Sequence, residues 1–221
     1  MHIADFNHLE DFEARMLSGT LSYTDHNSCD YEGGYIDVKT VNLRFLEQAA
    51  VKGSEPTRAS FIGSKAVYSK VADLDKLIEQ IPVYPEGNRI ENIRDFQAQV
   101  MLYAYYFAGE AAKDDNLYLL THVASNLVLF GSRIILAHNR ILFPCHKKMM
   151  SAVQNAPEKP ERFVSMARNL LDKPTTQKCM ELAQEILTFR RLELPHEQAL
   201  SLFVRNNEWN WQDHAPPLQD R

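Results

Sequence analysis

The sequence predicts an α+β chain, with a small mixed unit of short strands and helices followed by an all-α helical bundle. Three observations carry this expectation. Before about residue 82, strand-like alternation is interleaved with short stretches of helical spacing. From Arg89 onward the spacing is helical almost without interruption. Between the two, "PVYPEGN" sets two prolines and a glycine into seven residues, a composition that breaks regular structure. We therefore divide the chain at this segment, into residues 1–81 and 86–221.

In the first unit, "DFNHLEDFEARMLSG" carries Phe6, Leu9, Phe12 and Met16 at helical spacing, and Gly19 suits its stop. "YIDVKTV" alternates as a strand, with Ile36 and Val38 on one face and Tyr35, Asp37 and Lys39 on the other. Asn42 is placed to cap "LRFLEQAAVKG", which Gly53 ends. Ser54 and Pro56 open a further short helix. "KAVYSK" predicts a second strand, and Asp73 a cap for "LDKLIEQI". In the second unit, Ile90, Ile93, Phe96/Gln97, Val100, Ala104 and Phe107 mark one amphipathic helix, and residues 115–141 a second that is apolar nearly all round and so belongs at the bundle's centre. Shorter helices are predicted over 145–155, 160–172 (Pro160 in the first turn), 175–192 and 196–206.

Composition narrows the function classes. A net charge of −5 gives no global basic field, so nucleic acid is not an expected partner. The cysteines at 29, 145 and 179 are few, odd in number and widely spaced, which fits a reducing compartment rather than a disulfide scaffold. The opening residues lack the apolar core of a signal peptide. The longest apolar stretch is interrupted by Ser132, Arg133, His138, Asn139 and Arg140 and reads as a buried helix, not a membrane span. The expectation is a soluble cytoplasmic protein without a membrane partner.

"GGYIDVKTVNLRFLEQAA" followed by "KGSEPTRASFIGSKAVYSK" resembles the nucleotidyltransferase superfamily, the DNA polymerase β-like fold that includes kanamycin nucleotidyltransferase. "ASNLVLFGSRIILAHNRILFPCHKKM" and "NNEWNW" look like the helical bundle of bacterial nucleotidyltransferase-domain proteins, so the resemblance covers most of the chain. It implies transfer of a nucleoside monophosphate from a nucleoside triphosphate to a small-molecule hydroxyl, with three carboxylates holding magnesium ions. Two of those carboxylates come from a D-x-D pair on a strand preceded by a G-S turn. By motif match Asp37 is the third, both a catalytic residue and a Mg²⁺ ligand. This sequence has no D-x-D on a strand and no upstream G-S turn, so two of the three expected metal-binding carboxylates are missing. Two-ion phosphoryl transfer depends on metal-held geometry and charge stabilisation. The expectation is thus a partial nucleotidyltransferase-type unit, inactive or incomplete alone, with weak or absent Mg²⁺ binding. It is also expected to present a sheet edge that a homodimer or a partner chain would cover.

Other constellations bear on function. On an ideal helix, His122, Asn126, Arg133 and Arg140 fall within a stripe roughly 40° wide. They read either as the substrate-binding polar wall of a pocket, with the arginines facing phosphate, or as a solvent face. The expected ligand is a nucleotide or another phosphate-containing small molecule. A non-catalytic binding or antitoxin-like module is the alternative. A third reading comes from "RIILAH", where Arg133 and His138 match the R-x4-H pattern of HEPN-like ribonuclease bundles, although a five-residue separation sets them about 140° apart on a regular helix. His26 and Cys29 have metal-ligand spacing, and Cys145-His146 could extend the set, but no second paired spacing supports zinc. Tyr103, Tyr105, Tyr106, Trp209 and Trp211 could stack on a base, or simply pack against the bundle.

Overall fold

A computed structural model describes residues 2–3 and 9–215; Phe6, expected on the first helix, lies outside the described residues. The chain is α+β and divides into two compact units, 1–83 and 84–221.

The first unit is built on a small sheet. β1 (His2–Ile3) is followed by α1 (Leu9–Leu17), β2 (Ser22–Asp25) and β3 (Ile36–Val41). The strand order is β1-β3-β2, with β1 parallel and β2 antiparallel to β3. Tyr23 stands opposite Val38 and Thr24 opposite Asp37. One sheet face therefore carries Tyr23, Ile36 and Val38, and the other Thr24, Asp37 and Lys39. α2 (Leu43–Lys52), α3 (Glu55–Ala59) and α4 (Leu74–Gln80) follow. Asn42 caps α2 by accepting the Phe45 N–H at 2.8 Å, and the Ser54 hydroxyl accepts the Thr57 N–H at 3.4 Å at the start of α3. Leu46, Ala49, Phe61, Leu74, Ile78 and Ile81 form the core of this unit. At roughly 1.5–3 kcal/mol for each large side chain buried, it is a small core.

Two expectations fail here. Residues 65–70 form no strand, although Val67 and Tyr68 favour one. Gly63 at φ +76° turns the chain, and the Ala66 N–H is taken by Asp75 Oδ1 at 3.3 Å, so the segment wraps α4 as a loop. Asp73 makes no side-chain cap; at φ 56° it is left-handed, and its carboxylate pairs instead with Lys76 at 2.7 Å.

The second unit opens with a 3-10 turn at Glu86–Asn88 and α5 (Arg89–Leu102). The predicted helix does not run on regularly to Phe107, because residues Tyr103–Phe107 form a π turn before α6 (Ala108–Lys113). The wider turn rotates the following residues about the axis. Tyr103 is buried against Phe107, Phe130 and Phe203, while Tyr105 and Tyr106 are exposed. α7 (Leu117–His138) is the central helix; Ile134, Ile135, Leu136 and Ala137 are all buried, so no face of this turn meets solvent. By length and composition α7 could cross a membrane, yet its neighbours in the bundle bury much of it. Gly131 permits a close approach, since an added Cβ would sit 3.0 Å from Phe163 and 3.2 Å from Ile186.

α8 (His146–Gln154), α9 (Phe163–Asp172), α10 (Thr176–Phe189) and α11 (His196–Asn207) complete the bundle. Pro160 lies before α9 rather than in its first turn. The Gln97 amide ties α5 to the segment between α10 and α11, accepting the Leu192 N–H at 2.8 Å and donating to the Leu192 carbonyl at 3.0 Å.

Candidate functional site

Asp37 sits near the start of β3, exposed, on the sheet face it shares with Thr24. The Thr24 hydroxyl donates to Asp37 Oδ1 at 3.3 Å. The nearest acid on the paired strand, Asp25, stands opposite Ile36 and so on the other face. Its oxygens accept the Ser28 hydroxyl at 2.6 Å and the Asn27 N–H at 2.8 Å, and these two bonds hold its carboxyl below the usual range. Among the described residues no three His, Cys, Asp or Glu side chains converge as a metal cage. The described residues around Asp37 do not fit a two-ion centre. A single carboxylate leaves most positions of a Mg²⁺ ion to water and to substrate phosphates.

The polar stripe divides into three separate arrangements. His122 and Asn126 lie one turn apart on α7, with Asn126 Nδ2 at 3.1 Å from His122 Nε2 and 2.9 Å from the His122 carbonyl. The Tyr103 hydroxyl approaches the same Nε2 at 3.4 Å, and burial pushes that phenol's pKa up. Tyr118 stacks on the His122 ring, with centroids 6.4 Å apart.

Arg133 is held differently, with its guanidinium carbon 4.6 Å from the ring centroids of both Phe96 and Phe143. Arg140 is not on the helix. α7 ends at His138, short of the expected 141, and Arg140 takes a left-handed φ of 56° in the exposed turn beyond. It makes a two-point contact with Glu86, Nε to Oε2 at 2.8 Å and Nη2 to Oε1 at 3.1 Å. Arg89 reaches the same carboxylate at 2.8 Å, and the two guanidinium groups hold Glu86 below the ordinary carboxylate range, Arg89 contributing most.

The R-x4-H pair also separates into different neighbourhoods. His138 Nε2 meets Glu158 Oε2 at 3.0 Å and its ring is edge-on to Phe189, whereas Arg133 packs on Phe96 and Phe143. His26 lies beside the Tyr35 ring, and His146 is edge-on to Phe143. An open groove of about 740 Å³ runs between α9 and α10, past Met166, Met180 and Phe189. Its polar groups bond one another, Arg162 with Glu185 at 2.6 Å and Gln177 with Glu181 at 2.8 Å.

Sequence reasoning missed two buried polar residues that tie segments together within their units, Arg58 and Gln97. Arg58 is buried in α3 and gives all its donors to backbone carbonyls. A polar residue on an otherwise apolar helix face was the signal for Gln97. Arg58 has no comparable signal, because its helix spans only five residues. Compared with known protein families, with characterised proteins and with solved structures, the chain matches none.

Proposed function

We propose that this chain is a nucleotidyltransferase-like protein that binds a nucleotide or another phosphate-containing small molecule and does not transfer from it by its own residues. The observation that carries the reading is Asp37, a solvent-facing acid on β3 whose bonded neighbour is a single hydroxyl. An exposed acid is solvated by water and needs no cation; held only by a neutral hydroxyl, Asp37 remains available to an acceptor group or an ion. In the resemblance, that position orients or deprotonates the acceptor hydroxyl. Arg133, fixed by two phenyl rings, is the cation we assign to phosphate in the bundle. With one carboxylate in place of three, the metal stabilisation of phosphoryl transfer is largely lost, and each 1.4 kcal/mol lost costs about tenfold in rate.

A non-catalytic binding or antitoxin-like module without a phosphate site is the second reading, favoured by Arg140, whose charge Glu86 already engages at two points. The edge strand β2 offers a place for a second copy or a partner strand under either reading. Incubating the chain with each radiolabelled nucleoside triphosphate, Mg²⁺ and a pool of hydroxyl compounds tests the proposal. The expected result is retention of nucleotide at high ligand concentration, no labelled product, and severalfold weaker retention by Arg133→Ala. Labelled product lost in Asp37→Asn would overturn the claim of inactivity, and no retention of any triphosphate would overturn the phosphate reading itself.

A further inference from the structure

The loop that replaces the expected second strand builds a cavity. Residues 64–71 curve over the start of α4 and form a half-open pocket of about 650 Å³, a volume within the usual range for small-molecule sites. The floor is apolar, made by Leu74 and Ile78, which are each 6% exposed. Tyr68, 78% exposed, supplies an aromatic rim. The charged lining residues are Lys65 and Lys70, and no acid lines the cavity, although the whole chain is acidic. Among the described residues neither lysine has a hydrogen-bond or ion-pair partner, in contrast to Lys76, Lys113 and Lys178. The loop is pinned before any ligand arrives. The Ala66 N–H is bonded to Asp75 Oδ1 at 3.3 Å, and the Ser69 hydroxyl accepts the Val71 N–H at 2.9 Å. Preorganisation of this kind lowers the ordering cost of binding.

We propose that this cavity binds a small amphipathic anion, with an aromatic or short acyl body on Leu74, Ile78 and Tyr68 and a single anionic head between Lys65 and Lys70. The apolar floor gains from covering by a body that excludes water, and two unpaired ammonium groups select a negative head over a neutral one. Asp37 is not among the lining residues, so the proposal stands apart from the nucleotide reading.

The test is an amide NMR titration of the full chain with 1-naphthoate, octanoate, their neutral counterparts 1-naphthol and octanol, inorganic phosphate and ATP. At least one of the two carboxylates is expected to shift the amides of 64–78, naphthoate alone identifying an aromatic ligand and octanoate alone an acyl one. The alcohols and inorganic phosphate should bind at least about tenfold more weakly, as expected for loss of a charge-assisted contact or of the apolar body. K65Q/K70Q should weaken the carboxylate by about tenfold or more while leaving the free spectrum unchanged outside the loop, and Lys52→Gln should change it less than twofold. Equal affinity of K65Q/K70Q and wild type, equal affinity for acid and alcohol, or shifts confined to residues outside 64–78 would each overturn the proposal. ATP binding with neither carboxylate would overturn the ligand class.

Discussion

Replacing Arg58 with alanine should strongly destabilise the first unit, and the size of the effect follows from its bonds. The guanidinium donates to Gly53 O at 2.9 Å, Ala50 O at 3.0 Å and Val51 O at 3.1 Å, all at the end of α2. It also donates to Ile81 O at 3.0 Å and Val83 O at 3.2 Å, just past α4. The last carbonyls of a helix have no intrahelical donor and carry partial negative charge, so a cation there is doubly favourable. Hydrogen bonds to a charged group contribute about 1.5–3 kcal/mol each when measured singly. Five sharing one side chain are not additive, and truncation lets water reach some carbonyls, so we expect a loss of about 3–5 kcal/mol. Domains of this size have only about 4–12 kcal/mol in total. Hydrogen exchange on the full chain separates the units. The Gly53, Leu77 and Ile81 amides, bonded to Ala49, Asp73 and Ile78 carbonyls, should exchange at least about a hundredfold faster in Arg58→Ala. Arg58→Lys, with three donors in place of five, should recover only part of this. A loss under about 1 kcal/mol in Arg58→Ala would refute the reasoning.

Other predictions concern the bundle. Gln97→Leu keeps the volume but strands the half-buried N–H and carbonyl it now serves at Leu192; chemical denaturation should show a loss of about 1–3 kcal/mol. Burial pushes the Cys179 thiol up to about 11, and the side chain is fully buried, so a thiol reagent at neutral pH should label Cys29 and Cys145 well before Cys179. The Glu86 carboxyl is held below its ordinary value of 4.5, so its contribution is complete above that value and is lost as pH falls through the lower folded one. Glu86→Gln should therefore flatten the acid limb of the stability profile below about pH 4.5 and remove this linkage.

The features that were legible in the sequence are those fixed by local chemistry. The Asn42 and Ser54 caps satisfy amides three residues away, and the apolar sweep of α7 reports its own burial. The strand carrying Asp37 was legible from its alternation, over Ile36–Val41. What failed depends on partners distant in sequence. A strand at 65–70 needed a neighbouring strand to pair with, and Asp75 took its amide instead. The stripe on α7 assumed a helix through residue 141. The chain instead turns after His138, where Asn139 bonds the Glu158 backbone and Arg140 swings to Glu86, so helical geometry could not describe that end of the site. The π turn at Tyr103–Phe107 shifts the periodicity on which the α5 face was drawn, and helical spacing alone contains no sign of it.

The central claim is that Asp37 marks a nucleotidyltransferase-like position while the chain holds phosphate compounds without a metal centre of its own. Calorimetric titration of wild type and Asp37→Asn with ATP, with and without Mg²⁺, tests it most directly. The account predicts weak binding of similar strength in all four titrations. Tight binding that requires Mg²⁺ and disappears in Asp37→Asn would contradict it.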